Sequence, residues 1–203
     1  YNVLEGLTRI DENGQVKPLL AQSWSQDASG LVHVFKLRRG VRFHDGAVLD
    51  AQAVRFSFER AKAPGSTNKA RKALFDNIAR IETPDAHTVV LALERPDVHL
   101  LFRLGEGPAV ILHPASAAQA SNHPVGTGPY RFVQWSRGTS ITLVRADTYR
   151  DPTQASIERV VFHFIPDPKA QEAAFRSGAM DLFFNGSMPF CVELDNLKDT
   201  DAP

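Results

Sequence analysis

The sequence holds a single cysteine, Cys191, so no disulfide can form within it. A lone thiol of this kind reads as a small buried apolar residue, because a nucleophile needs a base that no neighbouring motif supplies. No uninterrupted apolar run reaches the roughly 18–20 residues that cross a bilayer. Charge of neither sign is in excess. Lys+Arg and Asp+Glu both number 23, which removes the basic surplus that nucleic acid or an anionic membrane favours. His-Glu-x-x-His, Cys-x-x-Cys and Gly-x-Ser-x-Gly are all missing, and with them any marked zinc site, redox pair or hydrolase elbow. The carboxylates include no pair set out for acid–base work. The histidines are scattered, and neighbours such as His44-Asp45 seldom point at one ion. There is no internal repeat. These absences lead to an expectation of no catalytic residue, no metal site and no cofactor.

What is present is the composition of an ordinary globule: 43% apolar and 23% charged residues, enough to bury a core. The Gly126-Thr127-Gly128 triplet in NHPVGTGPYRF looks at first like a phosphate cradle. A dinucleotide fingerprint needs a third glycine three positions after the second, opening a helix. Here that position is Arg131, Pro129 removes an amide donor, and the following Tyr-Arg-Phe-Val-Gln-Trp alternates like a strand. The loop is therefore a turn. Gly126 and Gly128 permit positive φ there, and Pro129 stiffens the strand entry.

Periodicity outlines a mixed α/β chain. Leu31–Leu37, Thr88–Leu93 and Ile157–Ile165 have the β-branched and aromatic content of strands. Tyr130–Trp135 and Ser140–Arg145 read as a hairpin joined at Ser136–Thr139. Asp50 is placed to cap a helix in which Val54, Phe58 and Ala61 share one face, and Pro64-Gly65 ends it. The spacing of Leu74, Ile78 and Ile81 predicts a second helix over 70–81. Short helices are expected at Asp97–Leu104 and Pro114–Ser121. A further helix follows Asp167-Pro168 and stops at Gly178. A strand is expected at Asp181–Phe184 and a weaker helix at Pro189–Lys198. Trp24 and the strand Val32–Leu37 are assigned to core packing, and Arg38-Arg39 to a solvated turn.

Five segments, in order, resemble the family 5 extracytoplasmic solute-binding proteins. They are YNVLEGLTRI, PLLAQSWSQDASGLVHVFKLRRGVRFHDG over 18–46, DAQAVRFSFERA, HPVGTGPYRF and AFRSGAMDL. The resemblance covers nearly the whole chain. It implies a periplasmic-binding-protein-like (type II) lobe, a mixed β-sheet with flanking helices and an inserted α+β subdomain. Residues 1–20 and 122–203 would form the main subdomain and 21–121 the insert, with Val125–Tyr130 returning the chain from one to the other. The resemblance also implies that a second lobe lies outside this sequence. Tyr1 opens inside a patterned segment, so an upstream portion is expected.

The resemblance implies capture, not catalysis. The ligand would be a short peptide or similar small solute. The partner would be the membrane permease of an ABC importer. No nucleic-acid partner is expected, the protein would act as a monomer, and it would be periplasmic or extracytoplasmic, with a lipid anchor as one option. Receptors for nickel chelates, sugars, opines or haem are open alternatives within the family, although apolar Ala109 and Val110 weaken the nickel option. A solute-sensing module of a transcription factor is another. Ligand contacts implied by the resemblance are Asn68 and Arg71 in one loop, Glu106 and Gly107 in a second, and Asn185, Gly186 and Ser187 near the expected crossing to the other lobe. Arg71 and Glu106 would pair with peptide termini, and Asn185 and Ser187 would hydrogen-bond an extended backbone.

Overall fold

The computed structural model describes residues 2–182. Two compact units divide the chain: Tyr1–Trp135 with Ile141–Val161, and Ser136–Ser140 with the residues from Phe162 onward.

The larger unit is built on a four-stranded antiparallel sheet in the order β3-β4-β6-β5. Its strands are β3 (Ala21–Gln26), β4 (Val32–Leu37), β5 (Ile78–Asp85) and β6 (Thr88–Leu93). A short ribbon, β1 (Thr8–Ile10) with β2 (Val16–Pro18), precedes it. Alternation sets which face is buried. His33, Phe35 and Leu37 of β4 point inward, as do Val89, Leu91 and Leu93 of β6. Helix α1 (Ala51–Lys62) covers that face. Its Val54, Phe58 and Ala61 are buried, and Phe58 meets Phe75 edge-on at 5.5 Å. Trp24 is only partly buried but packs against this core, as its assignment required.

Asp50 caps α1 by accepting a hydrogen bond from the Ala53 amide at 2.9 Å. That bond satisfies one of the helix's orphan donors. Asp50→Ala is expected to lower stability by about 1 kcal/mol, read as a lower urea midpoint at unchanged slope.

The helix expected over 70–81 is absent. Phe75–Asn77 forms one 3-10 turn, and the chain then enters β5. Leu74, Ile78 and Ile81 are indeed buried. However, the pairing of β5 with β6 slips between Ile78 and Arg80. A bulge of this kind adds one residue to the strand, so Ile78 and Ile81, three apart, both face inward. That spacing imitates a helix. The two short helices also shrink, to α2 (Leu100–Arg103) and a 3-10 segment at Pro114–Gln119. Arg38 is not wholly solvated, since its Nε donates to Leu19 O at 2.6 Å.

A second sheet runs β7-β8-β9, made of β7 (Tyr130–Ser136), β8 (Ser140–Arg145) and β9 (Arg159–His163). In the smaller unit, α3 (Pro168–Arg176) starts where Asp167 accepts from the Ala170 amide at 2.8 Å. It ends before Gly178, whose φ of 74° an L side chain rarely adopts. Asp181 and Leu182 lie in a bend and coil. The rest of the strand expected at Asp181–Phe184, the helix at Pro189–Lys198 and Cys191 fall outside the described residues.

Candidate functional site

Two loops that carry expected ligand contacts meet. Asn68 Nδ2 donates to Pro108 O at 2.9 Å, across 40 residues of sequence. Its Oδ1 accepts from the Ala70 amide at 2.9 Å, an Asx-type turn that fixes the side chain. On the opposite loop, Gly107–Ala109 is a single 3-10 turn with Pro108 inside it. Asn68 thus joins the segment bearing Arg71 to the one bearing Glu106 and Gly107.

Around Asn68 lies an open hollow of about 350 Å3, lined by Ser66, Asn68, Lys69, Arg71, Lys72 and Asp76. Arg71 is held through its main chain, which donates to Asn68 O at 3.1 Å and accepts from the Asp76 amide at 2.8 Å. Its Nε sits 3.5 Å from Asp76 Oδ1. That is a charge contact without hydrogen-bond alignment, because Nε is buried and makes no hydrogen bond. Glu106 and Gly107 are exposed on the neighbouring loop and do not line the hollow. Asn185, Gly186 and Ser187 lie outside the described residues.

A second centre went unnoticed in the sequence. Glu5 is 1% exposed and forms a two-pronged ion pair with Arg150, at 2.8 and 2.7 Å. Thr127 Oγ1 donates to Glu5 Oε2 at 2.8 Å and Tyr149 OH to Oε1 at 3.2 Å. The only available signal was a carboxylate in an otherwise apolar stretch, VLEGL, where burial demands partners. His44 completes the junction. Its amide donates to Gly126 O at 2.9 Å, its Nε2 lies 2.9 Å from Gly128 O, and its Nδ1 faces the Gly126 amide at 3.4 Å. One ring nitrogen meets an acceptor and the other a donor, which defines a neutral ring protonated at Nε2. Burial agrees, pulling the His44 pKa below its usual value against the opposing Gly128 hydrogen bond and Glu5 charge.

The Gly-Thr-Gly turn is thus a fastening. Neither Gly126 nor Gly128 uses the positive φ that a glycine permits. Gly126 is needed for close approach instead. A Cβ there would lie 1.9 Å from Val3 O and 2.7 Å from Val3 C. The neighbouring Asp45 Oδ2 lies 2.6 Å from His113 Nδ1, a contact without hydrogen-bond alignment, and Phe43 stacks on that ring. Among the described residues no three metal-ligating side chains converge, and no helix is long and apolar enough to cross a membrane.

Burial, then the Glu5 charge, push the Tyr149 phenol up to about 12. The sign follows from linkage. Above pH 10 the unfolded chain loses this proton and the fold keeps it. The stabilisation is therefore complete below pH 10 and declines between about 10 and about 12. Tyr149→Phe should flatten that part of the stability–pH curve, as measured by urea unfolding at stepped pH. An unchanged slope would rule the assignment out.

An antiparallel four-stranded sheet covered by one helix, in a chain that mixes strands and helices, fits an α/β lobe of the type II periplasmic-binding-protein class. The model for "Bacterial extracellular solute-binding proteins, family 5 Middle" matches residues 15–202, and the chain belongs to that family. It is 31% identical over 178 residues to the glutathione-binding protein GsiB of Pectobacterium atrosepticum, covering 86% of this chain and 34% of that protein. Among solved structures it resembles the periplasmic binding protein DppA from Helicobacter pylori in complex with peptide STSA. There the TM-score is 0.88 at 28% identity, over 98% of this chain and 43% of that one. It also resembles the binding protein AgaA in complex with agropinic acid, from A. tumefaciens, with a TM-score of 0.82 at 32% identity over 88% and 37%. The chain thus spans about a third of the length of the curated relative it matches.

Proposed function

We propose that this chain is the first-lobe portion of the substrate-binding component of an ABC importer, taking up a short peptide or similar small solute. The observation that carries this reading is the likeness over 98% of the chain to a peptide-bound, transporter-associated binding protein. A relative that binds glutathione is consistent with it. Residues 1–20 and 122–203 serve as the main subdomain and 21–121 as the insert. Asn68, Arg71, Glu106 and Gly107 contribute the cleft face, with Asn185, Gly186 and Ser187 beside the crossing. The solute bridges two lobes, hinge closure buries it, and the closed form docks as a monomer on a membrane permease outside the cytoplasm. Chemistry on the solute has no part in this cycle.

Native mass spectrometry of the protein purified from its own host, with no ligand added, tests the reading. Retained peptides of narrow length range are expected. A retained metal or a single non-peptide mass would overturn the peptide assignment, and turnover of peptides or esters would overturn capture itself.

A further inference from the structure

Lys72 lines not one hollow but two. Beyond the hollow at Asn68 lies another of about 240 Å3, whose walls include Lys72, Asn77, Arg95, Asp97 and Arg103. Together the two hollows present five cations (Lys69, Arg71, Lys72, Arg95, Arg103) and two carboxylates (Asp76, Asp97). The chain as a whole is neutral, so this is a local concentration of one sign.

The carboxylates are already engaged. Asp97 is only 10% exposed and holds Arg103 at 2.7 Å, and Asp76 stands against Arg71. Lys69, Lys72 and Arg95 are exposed, and their side chains have no ion pair or hydrogen bond among the described residues. An ordinary solvated face mixes its charges and leaves its chains loose. Here part of the supporting backbone is tied by side chains. Asn77 Nδ2 donates to Arg95 O at 2.9 Å and Asn77 Oδ1 accepts from the Arg95 amide at 3.1 Å. Arg103 Nη1 donates to Ala73 O at 2.7 Å. The cations therefore stand around concave surfaces, where a field of one sign is focused.

We propose that the solute taken up here is anionic, with two carboxylate or phosphate groups. One is received by Lys69 and Arg71, the other by Arg95, and Lys72 stands between them. A guanidinium presents two parallel donors to such a group and an ammonium a compact charge. This rests on the solute-capture reading and narrows it to acidic cargo.

Amide-shift titration of the 15N-labelled chain at about 20 mM salt tests the proposal, because charge pairing is strongest when the screening length is long. The probes are citrate, pyrophosphate and an uncharged N-acetylated tripeptide amide. Saturating shifts at 66–77 and 95–97 with citrate, pyrophosphate or both are expected, and which of them binds separates carboxylate from phosphate. Lys72→Glu should weaken that binding at least tenfold, while its circular dichroism stays that of the parent. Arg95→Gln should weaken it in the same direction. Anion binding that Lys72→Glu leaves unchanged, or shifts confined to other surfaces, overturns the proposal. If the uncharged tripeptide alone saturates these amides, solute capture stands and the acidic-cargo inference falls. If no probe binds, the acidic-cargo inference falls, and solute capture is decided by the mass spectrometry above.

Discussion

Glu5→Ala is expected to lose about 3–5 kcal/mol of folding stability, the range found when one member of a buried ion pair is removed. The loss comes from what remains. Arg150, only 22% exposed in its side chain, keeps its charge in the variant because a guanidinium is not deprotonated in a protein; in the parent, burial opposes but the Glu5 hydrogen bond and charge outweigh it and hold its pKa above the ordinary value. Without Glu5 that charge is unpaired, and Thr127 and Tyr149 lose their acceptor. The double variant Glu5→Ala/Arg150→Met should recover part of the loss, since two apolar groups leave nothing uncompensated. A urea double-mutant cycle measures both. Equal stability of Glu5→Ala and the parent would show that the pair contributes nothing net.

Gly126→Ala should be comparably damaging, by about 3 kcal/mol or more, at the upper end of overpacking effects. Its methyl would meet main-chain atoms of Val3 and lie 2.9 Å from Leu4 Cδ2. Val3 cannot easily retreat, because its carbonyl accepts from the Gly128 amide at 3.0 Å, and Asn2 O accepts from Tyr130 N at 2.9 Å. Gly107→Ala is the control. Nothing lies within 4 Å of a Cβ there and φ is not positive, so stability should change little. If Gly126→Ala unfolds at the parent's urea midpoint, the close approach is not a constraint.

The sequence was legible where local chemistry and burial agree. Helix α1 could be read because its cap, apolar stripe and Pro-Gly stop all point one way. β4 and β6 could be read from their β-branched and aromatic content. β5 could not, because its bulge places inward residues three apart. β3 was missed because AQSWSQ buries only Ala21 fully, and its strand state is imposed by pairing with β4. The loops at Asn68 and Glu106 were chosen by family likeness alone. No local pattern states that Asn68 bonds to Pro108, or that Lys72 and Arg95 share a hollow, since both follow from how distant loops converge. Glu5 was hidden for the same reason, as a single carboxylate gives no sign of partners more than a hundred residues away.

That separation bears on the order in which the chain assembles. Glu5 meets Thr127 across 122 residues, and Tyr149 and Arg150 across 144 and 145. Closing so large a loop is entropically unfavourable, and contacts of this range slow folding. Helix α1 and the sheet over residues 21–93 need none of these partners. The side-chain contacts of Glu5 are therefore among the last to form. Until Arg150 has arrived, the Glu5 carboxylate keeps its hydration, although the Glu5 main chain can already accept from the Ile111 amide.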